Sequence, residues 1–130
     1  MPLLKPGDTK IYEKEVLPGD LASFHNKLVH EVYSTFALAR DMEWASRLLI
    51  LDILKEGEEG IGMGLQVKHI NPAFLGQKII IEAVVKKFRN NILNCEVTVR
   101  FGNKIIATGF TQQKIIDKNK LNELFKSKMS

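Results

Sequence analysis

Three polar side chains stand where acid–base or nucleophilic chemistry is possible: Glu43, His69 and Thr35. Glu43 lies in Asp41-Met42-Glu43-Trp44-Ala45, inside an apolar stretch. A carboxylate that faces a pocket loses hydration, its pKa rises, and it becomes suited to general-base work. Arg47, four residues on, offers a plainer reading, an exposed helical ion pair worth roughly 0.2–0.5 kcal/mol. The stripe Phe36-Arg40-Glu43-Arg47-Ile50 mixes polar and apolar residues, so periodicity leaves both readings open. His69 ends a predicted strand directly before Ile70-Asn71-Pro72. An imidazole there can serve as electrophile or acid–base at a strand mouth, or brace the turn backbone. Thr35, in Ser34-Thr35-Phe36, fits the hydroxyl that caps a helix N-terminus.

Other chemistries find little footing. His25 and His30 have no carboxylate or thiol at ligand spacing, so no metal is expected. Cys95, between Leu93 and Val97 in a predicted strand, reads as a buried inert thiol. A lone cysteine forms no internal disulfide, which suits a reducing, cytoplasmic location. No Gly-x-Ser-x-Gly elbow and no glycine-rich phosphate loop is present. Gly60, Gly62 and Gly64 instead alternate along one strand, where missing side chains let a ligand or another backbone come close.

The elements that must position these residues follow from pattern. Residues 10–16 alternate weakly as an edge-like strand, closed by Leu17-Pro18-Gly19-Asp20. Asp20 can cap a short helix with Leu21, Phe24, Leu28 and Val32 near one face, or the segment forms a lid-like loop. From Phe36 to Leu54 there is no Gly or Pro, and Leu38, Met42, Ala45, Leu49 and Ile53 recur at spacings of three and four. This predicts a long amphipathic helix, ended by the Gly57 and Gly60 region. Four strands follow, over 61–70, 78–88, 92–101 and 104–116, with turns at Asn71-Pro72, Asn90-Asn91 and Gly102-Asn103. In the tail, Leu121, Leu124 and Phe125 fall at helical spacing.

One apolar helix and one antiparallel sheet hide their faces most economically when the sheet wraps the helix. That is an α+β fold of the hotdog type, and its free sheet edge suits a homodimer. The 130 residues fit this single domain, with 117–130 as a lysine-rich tail or short helix. At 45% hydrophobic, the chain can bury a core without staples. Of the net charge of +4, residues 114–130 carry +3, and aromatics are not interleaved with the basic residues for base stacking. No nucleic-acid partner is expected. The longest apolar run, Leu48–Leu51, is far below the roughly 18–20 residues of a membrane span. The N-terminal residues show no apolar signal region, so secretion is not expected.

Taken together, Glu31-Val-Tyr-Ser-Thr35 through Met42-Glu43-Trp44-Ala45, followed by Gly60-Ile-Gly62-Met-Gly to His69, resembles the fluoroacetyl-CoA thioesterase-like family of hotdog proteins. The resemblance runs over roughly residues 5–117. It implies a catalytic constellation of Thr35, Glu43 and His69, with Gly62 beside the bound thioester and Phe36 lining the pocket. It implies an acyl-CoA substrate of short or medium chain, a homodimer or a pair of dimers, and no cofactor. The chain departs from the family pattern in three places. Phe36 is bulky, residues 109–113 read Gly-Phe-Thr-Gln-Gln rather than Gly-x-His-x-Arg, and segment 17–33 lacks the aromatic lid. Specificity for a fluorinated acyl group is therefore not implied. A non-catalytic acyl-CoA-binding module is the alternative on the same fold. The Asp-x-Asn-Pro-x-His hydratase pattern is absent.

Overall fold

The computed structural model describes residues 3–129. Met1, Pro2 and Ser130 of the expected 1–130 domain lie outside the described residues. The order is β1 (Thr9–Glu15), a short 3-10 turn (Pro18–Asp20), β2 (Leu21–Phe24), β3 (Lys27–Tyr33), α1 (Thr35–Leu51), β4 (Glu58–His69), β5 (Lys78–Arg89), β6 (Ile92–Phe101), β7 (Lys104–Asp117) and α2 (Lys118–Met129). Five strands form one antiparallel sheet in the order β1-β5-β6-β7-β4.

Alternation along the sheet sets the core. Ile79, Ile81, Ala83 and Val85 of β5, and Leu93, Cys95, Val97 and Val99 of β6, are buried on one face. Against that face pack Leu38, Met42, Ala45 and Leu49 of α1, as the three-and-four spacing predicts; Ile50, from the mixed stripe, is buried with them, whereas Ile53 is only partly buried. The sheet thus wraps the helix, as the element order requires. Contact is tightest at Gly109 of β7, where a Cβ would stand 2.7 Å from Met42 Cε and 2.1 Å from the Gln66 carbonyl oxygen. The Asn90-Asn91 turn has both residues at positive φ, 54° and 63°, which asparagine tolerates better than most residues. No helix among the described residues is long and apolar enough to cross a membrane.

Two expectations need correction. Helix α1 ends at Leu51 rather than Leu54, with Ile53 and Leu54 closing onto the Ile50 carbonyl. Segment 21–33 is neither a helix nor a loop. It is a β-hairpin of β2 and β3, a separate two-stranded sheet turned by His25 and Asn26, both at positive φ. Asp20 ends the 3-10 turn ahead of it, so no helix starts there.

The hairpin stands on the body chiefly by its base. Tyr33 N–H donates to the Ala73 carbonyl, Ser34 N–H to that of Asp20, and Val32 bridges Phe74. Beneath it lies a polar network in which Asp20, Asp41 and Tyr33 are buried and Arg40 is exposed. Arg40 bridges Asp20 (2.7 Å) and Asp41 (3.0 Å), Lys14 pairs with Asp20 (2.8 Å), and the Tyr33 hydroxyl donates to Asp41. Burial works against the Asp20 charge. Arg40, Lys14 and the Leu17 N–H outweigh it and hold the carboxyl below its ordinary value. Burial, reinforced by Asp41, keeps the Tyr33 hydroxyl protonated far above its ordinary range.

Candidate active site

The start of α1 sorts two adjacent hydroxyls into different tasks. Ser34 is the cap, its Oγ accepting the Ala37 N–H at 3.1 Å. Thr35, the first helical residue, is therefore free of the capping duty its position suggested. Its Oγ1 lies 3.0 Å from His69 Nδ1, at the end of β4. The turn after His69 is held by main-chain bonds as well. Ile70 and Asn71 N–H both donate to the Ile106 carbonyl, at 2.8 and 3.1 Å. Nε2 of His69 is buried and lacks a hydrogen-bond partner among the described residues. Burial pulls the imidazole pKa below its ordinary value. The Asn71 backbone works weakly the other way, without reaching Nε2 in hydrogen-bond geometry. At neutral pH the ring is uncharged, with one nitrogen on Thr35 and one unanswered.

Glu43 is exposed in the single chain, and its carboxylate lies in the niche that Gly62, lacking a side chain, leaves open. A Cβ on Gly62 would stand 2.8 Å from Glu43 Oε1 and 3.4 Å from Cδ, so only glycine leaves the carboxylate this place. The Glu43 main-chain carbonyl is fixed by Gln113 Nε2 at 3.0 Å. Arg47 turns away, to Glu59 at 2.7 Å and the Gly60 carbonyl at 3.2 Å, so the helical ion pair with Glu43 is not formed. The carboxylate has no ion pair or side-chain hydrogen bond among the described residues. A bulge between Gly62 and Gly64 interrupts the β4–β7 ladder. It breaks the simple alternation of the three glycines. A Cβ on Gly64 would meet only Gln112 Cβ, at 3.8 Å, while one on Gly60 would press on Ile50.

Within one chain the structure joins Thr35 to His69 and Glu43 to Gly62, but not the two pairs to each other. Thr35 and Glu43 are eight helical residues apart, about 12 Å of rise. Gly62 and His69 are seven strand residues apart, roughly 20 Å. Phe36 follows Thr35, exposed, with Phe24 of the hairpin edge-on against it at a ring separation of 5.9 Å and 69°. The spacing of Phe24 pointed to a helical face rather than to Phe36, because that contact exists only once the hairpin forms. Asp41 falls three residues after Leu38 and four before Ala45, a signal that the sequence reading did not take up, and no spacing pointed to its partners Tyr33, Arg40 and Asp20. A cavity of about 320 Å³ between Glu58, Asn91, Lys114 and Asp117 lies at the other end of β4 from His69. Cys95 is buried and its thiol pKa is pushed up to about 11 by burial, so it is an inert core residue. No cluster of three or more potential metal ligands occurs among the described residues.

Comparison with known proteins agrees with this fold. Residues 16–119 match the family model of the fluoroacetyl-CoA-specific thioesterase FlK. No curated protein matches the chain. A Thermus thermophilus hypothetical protein described as a thioesterase superfamily member is 32% identical, with 98% of this chain and 94% of that one covered and a TM-score of 0.91. The fluoroacetyl-CoA thioesterase FlK is 21% identical, with 96% and 97% covered and a TM-score of 0.87. A hot-dog-like protein from Thermanaerovibrio acidaminovorans is 20% identical, with 96% and 93% covered and a TM-score of 0.88. Variants of FlK have been seen with acetyl-CoA, and with fluoroacetate and CoA.

Proposed function

Because this chain belongs to the fluoroacetyl-CoA-specific thioesterase family, we propose that it hydrolyses a short or medium acyl-CoA to the free acid and CoA. The observation that carries the reading is the Glu43 carboxylate, unpaired and held in a niche that only Gly62 permits.

The two half-sites are completed in a homodimer. β4 is an edge strand of twelve residues with no strand paired along its outer side among the described residues, and Met63 and Leu65 are exposed along it. A two-fold axis across β4 pairs it with its copy in antiparallel sense and keeps both helices on one side of a continuous sheet. That operation moves Gly62 and Glu43 of one protomer toward the partner's His69. It brings the carboxylate to the Thr35–His69 pair and gives Nε2 the polar neighbour it lacks.

In the assembled site Glu43 takes a proton from water, and the hydroxide adds to the thioester carbonyl carbon. Main-chain N–H groups at the start of α1 and the Thr35–His69 pair stabilise the negative oxygen. The carbonyl re-forms as the C–S bond breaks. The thiolate leaves with the proton held by Glu43, giving acid and CoA thiol. A neutral imidazole suits this role, since it can donate one hydrogen bond while accepting another.

The test is free-thiol release from a panel of acyl-CoAs, wild type beside Glu43→Ala, with folding of both checked by circular dichroism. Turnover of a limited chain-length range that collapses in the variant supports the reading. Saturable binding of acyl-CoA without turnover in the folded wild type overturns it in favour of a binding module.

A further inference from the structure

Helix α2 carries more apolar surface than its own protomer uses. Only Leu121 of its twelve residues is buried. Leu124 is 44% exposed and Phe125 52%, on the same face as Leu121 at spacings of three and four. A helix this short has little stability of its own in water, so a packed face must hold it. A second apolar group lies bare at the other end of β4. In the turn after His69, Ile70 is 47% exposed, Phe74 46% and Leu75 54%.

Strand direction connects the two. The root of α2 is bonded to the beginning of β4, through Lys118 N–H to the Gly57 carbonyl at 2.8 Å, with Asp117 paired to Glu58. The turn 70–75 follows the end of the same strand. Within one chain, then, the two patches sit at opposite ends of β4. An antiparallel pairing of β4 with its copy inverts this. A register that sets Gly62 opposite the partner's His69 carries Glu58–Ile61, and the α2 root bonded there, past the end of the partner's β4, toward the turn that follows it. Each α2 root then arrives beside the exposed turn of the other subunit, and it does so twice by symmetry.

We propose that α2 of each protomer docks its Leu124–Phe125 face on the 70–75 turn of the other copy and forms the outer wall of that copy's active site. This rests on the dimer reading above, and it adds a part of the site supplied across the interface by the C-terminal helix. The wall would lie beyond the Thr35–His69 pair, on the side where the turn leaves β4.

The experiment places the photoreactive residue p-benzoylphenylalanine at position 125 of the full chain, with isotopically light and heavy protein mixed so that links between copies are separable by mass. Sedimentation is measured on the same sample. The expected result is a dimer whose links join position 125 to the peptide spanning 70–77 of the other isotope. Links confined to one copy, or to another segment, in a protein that sediments as a dimer overturn the docking while leaving the dimer standing. A monomer overturns both. In a second arm, the Phe125→Asp change puts a charge into the docked face and is expected to raise KM for acyl-CoA about tenfold, with a lower melting temperature as the helix loses its seat. An unchanged KM overturns the role of α2 as a wall.

Discussion

Gly62→Ala isolates the niche that holds Glu43. The new Cβ would lie 2.8 Å from Oε1, and an ordinary contact needs about 3.4 Å, so the carboxylate must retreat by about 0.6 Å. The obstacle is the end of a flexible side chain rather than backbone, so the fold absorbs it. Stability should change by no more than about 1 kcal/mol, and the loss of a glycine from the unfolded chain works in the variant's favour. Catalysis is less forgiving, since displacement of a catalytic group by about 1 Å can cost roughly a hundredfold. For this shift kcat should fall about 10–50-fold, equivalent to about 1.4–2.3 kcal/mol. Two other glycines give the scale. Gly64→Ala meets only Gln112 Cβ at 3.8 Å and should keep its activity. Gly109→Ala would drive its Cβ to 2.1 Å from the Gln66 carbonyl oxygen, a backbone atom that cannot yield, and should fail to fold. The assay is thiol release at saturating acyl-CoA, with melting curves for each variant. Full kcat in a folded Gly62→Ala protein would refute the claim that this niche positions the catalytic carboxylate.

Two further predictions concern groups around the site. Asp41→Ala leaves the Tyr33 hydroxyl and one side of Arg40 without their buried acceptor, and should cost about 2–3 kcal/mol in urea unfolding. A loss below about 0.5 kcal/mol would mean that the network under the hairpin adds nothing. Because the folded His69 pKa lies below its unfolded value near 6.5, the unfolded chain binds the extra proton first as pH falls. Stability from His69 is therefore complete above about pH 6.5 and declines as pH drops toward the folded value. Wild type should lose stability relative to His69→Gln across that window, and parallel pH curves for the two proteins would contradict the burial of a neutral imidazole.

Regular elements were legible because local signals agreed with the fold. The α1 stripe, the Asn90-Asn91 turn and the span of β6 each combine periodicity with a matching turn residue. The hairpin was not, because Leu21, Phe24, Leu28 and Val32 also satisfy a helical spacing. What decides is the left-handed pair His25-Asn26 together with bonds from Tyr33 and Ser34 to distant backbone. Of the candidate site, the residue types were legible and their grouping was not. Ser34 and Thr35 look interchangeable as caps until the helix chooses Ser34. Arg47 is at the right spacing for Glu43, yet Glu59 and the Gly60 carbonyl lie where its guanidinium can make a two-point contact. The bulge at Met63, which separates the behaviour of Gly62 from that of Gly64, leaves no mark in residue pattern. The helix rise of about 12 Å between Thr35 and Glu43, by contrast, follows from their eight-residue spacing once the helix is known.

That separation makes the shared site the point to test first. Glu43→Ala and His69→Ala proteins, each inactive alone, are mixed under conditions that exchange subunits, and thiol release is measured. A mixed dimer has one site with Glu43 from one protomer and Thr35–His69 from the other, all native, and a second site with neither Glu43 nor His69. With random exchange, half the dimers are mixed and half their sites are whole, so activity should return to about a quarter of wild type. No recovery, with exchange verified by mass, would contradict a site built across the two-fold axis.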